Sequence, residues 1–370
     1  MDRKFWATTF TLTGTIIGAG ILGLPYAFAK SGYLFGLFWV LFLGGVILYT
    51  FLCLGEISLR TKKVCQLPGY AEKYLGKKYK WIMFFAIIFG IYSALLAYLI
   101  GEGESFSFIF FGDTGNAVYF AFGFWLIMTL LFREGLRGLK RVESAGVIIV
   151  LALILIIIGF YFPQISKDNL FYRSPSEFFL PFGVVLFALL GFTSIPEIEM
   201  EIKGSEKKLK RAIITGVLIP VFVYAIFSLV FVGVLGKNVP QVATIGLGKL
   251  VAVLGIFTMF TAYFILSFSL KDVFKFDLKY SRGLRFFLVS ALPILIYFIL
   301  HFFNLLSFVE ILGIGGALSG GLTGVLILIM NKKAKEKGDR KPEFSVPINW
   351  FIILLLIIVY IGGIAVEFLL

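Results

Sequence analysis

Apolar runs, broken mainly by small or hydroxylated side chains, occupy most of this chain and alternate with short charged segments. Crossing a bilayer as a helix takes roughly 20 predominantly apolar residues. Runs of that kind lie at about 5–29, 33–58, 82–111, 117–132, 143–162, 177–202, 211–236, 246–270, 284–302, 305–330 and 347–369. They predict an all-α membrane protein of about eleven transmembrane helices, spans 1 to 11, with residues 1–370 as a single domain. The run at 117–132 is short, whereas those at 82–111 and 177–202 are long enough to predict tilt or extension beyond the bilayer. The first run follows Arg3 and Lys4 as a signal peptide would. It is longer than a usual signal core and ends in no small-x-small cleavage site, so it reads as a retained helix.

The distribution of charge sharpens this picture. With the N-terminus in the cytoplasm and the spans alternating, the 34 Lys and Arg fall on cytoplasmic segments except for Lys30, Lys167, Arg173, Lys237 and Lys249, the bias expected of inner loops. A missed or invented span would scramble the sides beyond it, so the bias also checks the count. It predicts a multi-pass protein of the cell membrane with the C-terminus outside. A net charge of +13 would direct a soluble protein toward nucleic acid. Here topology and contact with anionic lipid headgroups account for it, and no nucleic-acid partner is expected. Trp6, Trp81 and Trp350 fall at the inner interfaces, where indole rings are favoured.

Composition agrees. The chain is 59% hydrophobic and 15% charged, with mean hydropathy +0.98, against about 45–50% and 25% in soluble domains. Its only cysteines, Cys53 and Cys65, and its only histidine, His301, exclude a disulfide framework and a Cys- or His-rich metal site. No cofactor is expected, apart from sodium as a candidate coupling ion.

Chemistry is most legible in span 1, which contains Gly14-Thr15-Ile16-Ile17-Gly18-Ala19-Gly20-Ile21-Leu22-Gly23-Leu24-Pro25. Residues 18–23 match GxGxxG, but no strand precedes them and no acidic residue follows about 20 positions on, so the dinucleotide reading fails. Gly14 and Gly18 form a GxxxG pair that could simply bring two helices close. The alternative is a broken helix: a glycine costs about 1 kcal/mol and a proline about 3 in a helix interior. Backbone freed inside a membrane survives only where protein buries it or where it lines a cavity. Span 6 repeats the device. Gly191 precedes Pro196 by the same five residues that separate Gly20 from Pro25. Five spans separate the two breaks, so their helices run in opposite directions. Interrupted helices at matching places in two inverted halves point to a transporter binding site.

These residues resemble a known family. Gly14-Thr15-Ile16-Ile17-Gly18-Ala19-Gly20-Ile21-Leu22 with Leu24-Pro25 is similar to the span 1 signature of amino acid permeases of the APC superfamily, and the Leu-x-Leu-Pro continuation to its amino acid/auxin and tryptophan/tyrosine permease groups. Phe187-Ala188, Gly191 and Ile195-Pro196-Glu197 resemble the same groups in span 6. So do Ala94-Leu95-Leu96-Ala97-Tyr98 with Gly101 and Gly103 in span 3, and Ser269-Leu270-Lys271-Asp272 at the end of span 8. The resemblance implies a LeuT-type fold, with five-helix repeats over 1–162 and 163–330, related by inversion, and an extra helix at 347–369. It implies that a substrate carboxylate meets backbone amides of Ala19, Gly20 and Ile21 just after Gly18. The ammonium would meet carbonyls of Ile16, Phe187 and Leu190. Tyr98, Phe187, Ala188, Leu190, Gly191 and Phe192 would line the side-chain pocket. No Asp or Glu lies near the middle of spans 1, 6 or 8, so the substrate is expected to be a neutral amino acid.

The coupling ion stays open between a proton and sodium. In sodium-coupled relatives the ion site would involve Gly14 and Ile17 with Thr258 and Thr261. Ala262, however, lacks the hydroxyl those relatives often carry, and the threonines could instead bond to their own helix. A lysine in the middle of span 5, used by some proton-coupled relatives, is absent beyond Lys140 and Arg141. Glu310, a few residues inside span 10, is a relay or gate candidate. Glu102 and Glu104 late in span 3 are expected at the outer interface in contact with water. Glu197 is a candidate inner gate, and Glu199 and Glu201 are expected at the inner headgroups.

The function expected is secondary active transport by alternating access. A membrane-embedded enzyme would need clustered His, Asp or Cys at one face. An amino acid sensor that binds without transport would be expected to carry a signalling tail, whereas four residues precede the first run and the last ends near Glu367.

Overall fold

The computed structural model describes residues 3–18, 20–134 and 139–369; the side chains of Arg3, of 132–149 and of 276–277 fall outside that description. All regular structure among these residues is helical. Span 1 is the pair α1 (Arg3–Ile16) and α2 (Gly20–Ser31), bent by 56°. Then come α3 (Tyr33–Leu59), a short α4 (Leu67–Leu75), α5 (Lys77–Phe111), α6 (Ala117–Glu134), α7 (Leu139–Tyr161) and a short α8 (Lys167–Phe171). Span 6 is α9 (Leu180–Ala188) and α10 (Ile195–Glu201). The remainder is α11 (Leu209–Leu235), α12 (Lys249–Asp272), α13 (Arg282–Phe286), α14 (Leu292–Phe302), α15 (Phe308–Gly315), α16 (Gly321–Lys337) and α17 (Trp350–Leu369). A π-helical turn, Gly316–Gly320, joins α15 to α16 within span 10.

Eight helices are long and apolar enough to cross a membrane among the described residues, and the bent pair α1–α2 forms a ninth. Two shorter apolar stretches, Ala117–Leu131 and Val150–Gln164, stand where spans 4 and 5 are expected. The protein is thus a multi-pass membrane protein. Large apolar side chains lie exposed along these helices, among them Phe85, Phe222, Ile299 and Leu354, as a surface solvated by lipid requires.

Contacts sort the loops into two groups. At one end, the Lys4 ammonium donates to the Lys203 carbonyl at 2.7 Å, Glu199 bonds to Ser58, and the Asp339 amide donates to the Arg60 carbonyl at 2.8 Å. Four of the basic segments therefore share this end, called the basic end below. At the other, the Ser174 amide donates to the Ser31 carbonyl at 2.8 Å, the Ser166 amide to Gly233 at 2.9 Å, and the Val309 amide to the Gln241 side chain at 3.3 Å. Gly32 makes the tight α2–α3 connection with φ 106°, and a side chain there would strike Tyr172.

Two features of the basic end were not expected. Glu199 is buried rather than at the headgroups: its carboxylate bonds to the Ser58 hydroxyl, which also pairs with Tyr70 at 2.8 Å. Ser58 and Tyr70 lie on α3 and α4, so the inner half of span 6 is tied to the scaffold. Glu56, fully buried, gathers Arg60 Nε at 2.8 Å, Lys335 Nζ at 2.8 and 3.0 Å, Ser345 Oγ at 2.8 Å and the Val346 amide at 2.8 Å. This carboxylate fastens the 338–346 segment beneath α3 and α16. The last helix, α17, docks by small-to-large contacts. Tyr360 fills the space beside Gly324 and pairs with Thr50 at 2.8 Å, and Gly363 receives Phe182.

Candidate functional site

Helix α1 stops at Ile16 because the ladder ends there. The Gly18 amide turns back to the Ile16 carbonyl at 3.0 Å, and the Ile21 amide reaches Gly18 only at 3.4 Å. In span 6, α9 stops at Ala188. The Leu189 amide still bonds to Val185 at 3.0 Å, whereas that of Leu190 turns to Phe187 at 3.0 Å. A single 3₁₀ turn, Phe192–Ser194, follows, and α10 starts with Pro196 in its first turn, where a proline lacking its N–H costs least. Ala19 lies outside the described residues.

The two breaks touch reciprocally. A Cβ placed on Gly20 would overlap the Cα of Ala188, and one on Gly191 would lie 2.9 Å from the Ile16 side chain. Each glycine therefore makes room for the other span. Tyr224, fully buried on α11, joins them further: its hydroxyl stands 2.8 Å from the carbonyl oxygens of both Ile16 and Ala188. A phenol carries one proton, so one O–H is shared between two acceptors, of which the Ile16 carbonyl also takes the Gly18 amide. No motif marked Tyr224. The available signal was general: a hydroxyl in an apolar span must find an acceptor.

The other expected site residues cluster here to differing degrees. Tyr98 is buried on α5 with its hydroxyl beside Gly18, 3.4 Å from where a Cβ would stand, and its ring meets Tyr263 edge-on at 6.5 Å. Phe187 packs against Gly315 and Gly316 of span 10, and Leu190 reaches toward Gly320. Phe192 turns toward α3, its ring centre 4.9 Å from that of Phe51. Ile16, Ile17, Ile21, Phe187, Ala188, Gly191 and Phe192 are all buried.

Toward the end opposite the basic one, the region is sealed. Gly20 to Pro25 are all buried, and glycines let α2, α9 and α15 press together: Gly23 on Leu312, Gly183 on Gly313. Toward the basic end the surface near the breaks is small and polar. Ala7 and Thr15 on α1, Thr193 in the 3₁₀ turn and Glu197 at the start of α10 are exposed.

The ion candidates are less concentrated. Thr258 donates to the Gly255 carbonyl at 2.8 Å, and Thr261 to Phe257 and Thr258 at 3.1 Å each. Helix α1, which carries Gly14, packs on α7, α10 and α11, whereas α12, which carries the threonines, packs on α5, α6 and α7. Glu310 is exposed and caps α15. It accepts the Ser307 amide at 2.6 Å, while its own amide turns to the Ser307 hydroxyl. His301 is exposed and stacks on Tyr297, with ring centres 5.9 Å apart.

Glu102 departs most from expectation. It is not at a wet interface but fully buried, and no described protein group lies within hydrogen-bonding distance of either carboxyl oxygen. Gly101 and Gly103 explain this, because Met259 of α12 fills the space beside the first and Ala117 and Ala121 of α6 that beside the second. Glu104 is half-buried.

Removing the Tyr224 hydroxyl alone tests the join between the breaks. Tyr224→Phe takes the hydroxyl from the Ala188 carbonyl and leaves the Ile16 carbonyl with the Gly18 amide alone, at about 1–3 kcal/mol for an unmet buried polar group. The expected result is a folded protein with a lower thermal unfolding midpoint and a raised half-saturating ligand concentration, read by tryptophan fluorescence in detergent. An unchanged midpoint and unchanged binding would show that the hydroxyl joins nothing of consequence.

The sequence profile of the tryptophan/tyrosine permease family matches residues 1–258. The chain is similar to tyrosine-specific transport system 1 of Haemophilus influenzae, 26% identical over 64% of this chain and 59% of that protein. Tyrosine-specific transport system 2 of the same organism is 26% identical over 64% and 60%. Glutamine transporter 2 of Aliivibrio fischeri is 22% identical over 64% and 63%. The chain thus spans about three fifths of the length of these relatives.

Proposed function

The chain belongs to the tryptophan/tyrosine permease family, and on that footing we propose that it is a secondary transporter moving a neutral amino acid across the cell membrane by alternating access, coupled to a proton or sodium gradient. The observation that carries this reading is the reciprocal contact of two interrupted helices, Gly20 against Ala188 and Gly191 against Ile16. A zwitterion needs one end rich in N–H groups and one rich in carbonyls. The start of α2 supplies the first, with the amides of Gly20 and Ile21 at the positive end of a helix dipole. The ends of α1 and α9 supply the second, with the carbonyls of Ile16, Phe187 and Leu190. Tyr224 holds the Ile16 and Ala188 carbonyls in register, and an arriving ammonium would satisfy acceptors that its single proton cannot.

In this reading the fold is LeuT-type, with repeats over 1–162 and 163–330 and α17 added. The basic end faces the cytoplasm and the C-terminus the outside. Sealed packing around α2 and α9, with small polar faces on α1 and α10, fits a conformation open toward the cytoplasm. Glu199 on Ser58 then limits how far α10 moves. Tyr98, Phe187 and Phe192 around the breaks, together with the tyrosine-specific names of two relatives, make tyrosine the first substrate to test.

Purified protein in proteoliposomes would be offered labelled tyrosine, tryptophan, phenylalanine, glutamine and alanine under an inward proton gradient, an inward sodium gradient, or neither. Saturable uptake of tyrosine that one gradient drives and an ionophore abolishes is expected. If none of the five enters under any condition, the proposal fails; binding without entry would favour a sensor.

A further inference from the structure

Resting on the transport reading above, we propose that Glu102 is the group that carries the coupling proton, taking it up from water on one side of the membrane and returning it to water on the other. The argument begins with place. Glu102 stands one helical turn beyond Tyr98 on the same side of α5, about 6 Å along the axis, and Tyr98 is the side chain that reaches Gly18 at the break. The carboxyl therefore lies beside the candidate substrate site without forming part of it.

The second step is electrostatic. A carboxylate with no partner in a water-poor interior costs far more than a carboxylic acid. Neither oxygen of Glu102 has a protein partner among the described residues. Among the described side chains, none of the helices packed on α5 is shown to bring a cation to Glu102. Met259 of α12 is the residue beside Gly101, so Lys249 and Lys271 lie ten and twelve residues along α12, about 15 and 18 Å away. Of the other titratable groups on α12, Tyr263 meets Tyr98 and Asp272 ends the helix. On α6, Tyr119 is exposed, and Arg133 lies twelve residues inward of Ala121. On α14, Tyr297 and His301 stack on each other, and on α15 Glu310 is bound to Ser307. The charged groups of α4 and α16 stand at the basic end, with Lys73 paired to Asp339 and Lys335 to Glu56. On α5 itself, Glu104 is of like charge and Lys77, Lys78 and Lys80 begin the helix.

The conformation that buries Glu102 is thus the one that holds a proton, and a conformation that wets it releases the proton. Only the O–H bond forms and breaks, with water as donor and acceptor. Such a group biases alternating access because the two conformations differ in proton affinity. Two hydroxyls near this part of α5 could carry a proton toward the end opposite the basic one. Ser105, one turn beyond Glu102, and Thr244, on the turn that packs against α2, α5 and α12, carry buried hydroxyls with no protein partner among the described residues.

Glu102→Gln keeps shape and polarity but cannot exchange a proton. The test compares Glu102→Gln, Glu102→Asp and the unsubstituted protein in proteoliposomes with labelled tyrosine. Counterflow exchange without a gradient is measured beside accumulation under a proton gradient, with a lumenal pH dye. We expect Glu102→Gln to exchange within about threefold of the parent, to lose at least about tenfold of proton-driven accumulation, and to move no protons with tyrosine. Glu102→Asp should retain all three. Accumulation by Glu102→Gln equal to the parent overturns the proposal, as does loss of exchange in both variants, or accumulation by the parent driven by sodium alone. Failure of the parent to exchange tyrosine at all overturns the transport reading for this substrate instead.

Discussion

Gly20→Ala is expected to abolish transport and to destabilise the protein by more than a surface substitution could. The added methyl would occupy the space of the Ala188 backbone, with Cβ and N of that residue also crowded. Backbone cannot rotate aside as a side-chain tip can, so the two breaks must separate. Overpacking of a filled interior costs about 1–3 kcal/mol and at times more, and here it falls on the join between the two interrupted helices. Gly45→Ala is the control. It lies within α3 with no atom closer than 4 Å to the new methyl, so it should be neutral or slightly stabilising, since glycine in a helix costs about 0.5–1 kcal/mol relative to alanine. Combining Gly20→Ala with Ala188→Gly removes one of the overlapping atoms and should restore part of the lost stability. Thermal unfolding in detergent and tyrosine uptake are the readouts. A Gly20→Ala protein with parental midpoint and uptake would mean that the breaks do not touch.

Glu56→Ala carries the second large effect, this time on stability rather than on the site. The carboxylate is fully buried and takes bonds from Arg60, Lys335, Asn331, Ser345 and the Val346 amide. Removing one partner of a buried ion pair typically costs 3–5 kcal/mol, because the other charge is left unpaired. Lys335 and Arg60 both keep some exposure, so part of the loss can be recovered by water, and about 3 kcal/mol is expected. The segment 338–346 should then detach from α3, visible as faster proteolysis between Gly338 and Val346 and as a lower unfolding midpoint. Lys335→Met in the same background should be milder than in the parent, since the unpaired ammonium is gone. Equal midpoints for Glu56→Ala and the parent would show the network to be incidental.

The span pattern was legible because lipid imposes one rule on long stretches of chain: the surface must be apolar and every backbone group satisfied within the helix. The eleven runs are found close to their expected bounds, from 33–58 as Tyr33–Leu59 to 347–369 as Trp350–Leu369. The breaks at Gly18–Gly20 and Gly191–Pro196 were legible for the converse reason, since glycine and proline change the local ladder wherever the rest of the chain goes.

What each acid does was not legible. Glu102 and Glu199 sit late in their spans, and span counting alone put them near water. Both are buried, one (Glu199) held by Ser58 and the other (Glu102) with no partner among the described residues. Glu310, expected as a relay, caps its own helix. Tyr224 carried no motif, yet it bridges residues 208 and 36 positions away in the chain. Local propensity and hydropathy act over one helix, so the sequence by itself determined the spans, the basic end and the two breaks. Which polar group meets which partner depends on helices brought together from distant parts of the chain, with glycines setting how closely they approach. Only the tertiary structure decided, therefore, that the breaks touch, that one hydroxyl serves both, and that Glu102 is shut away from water.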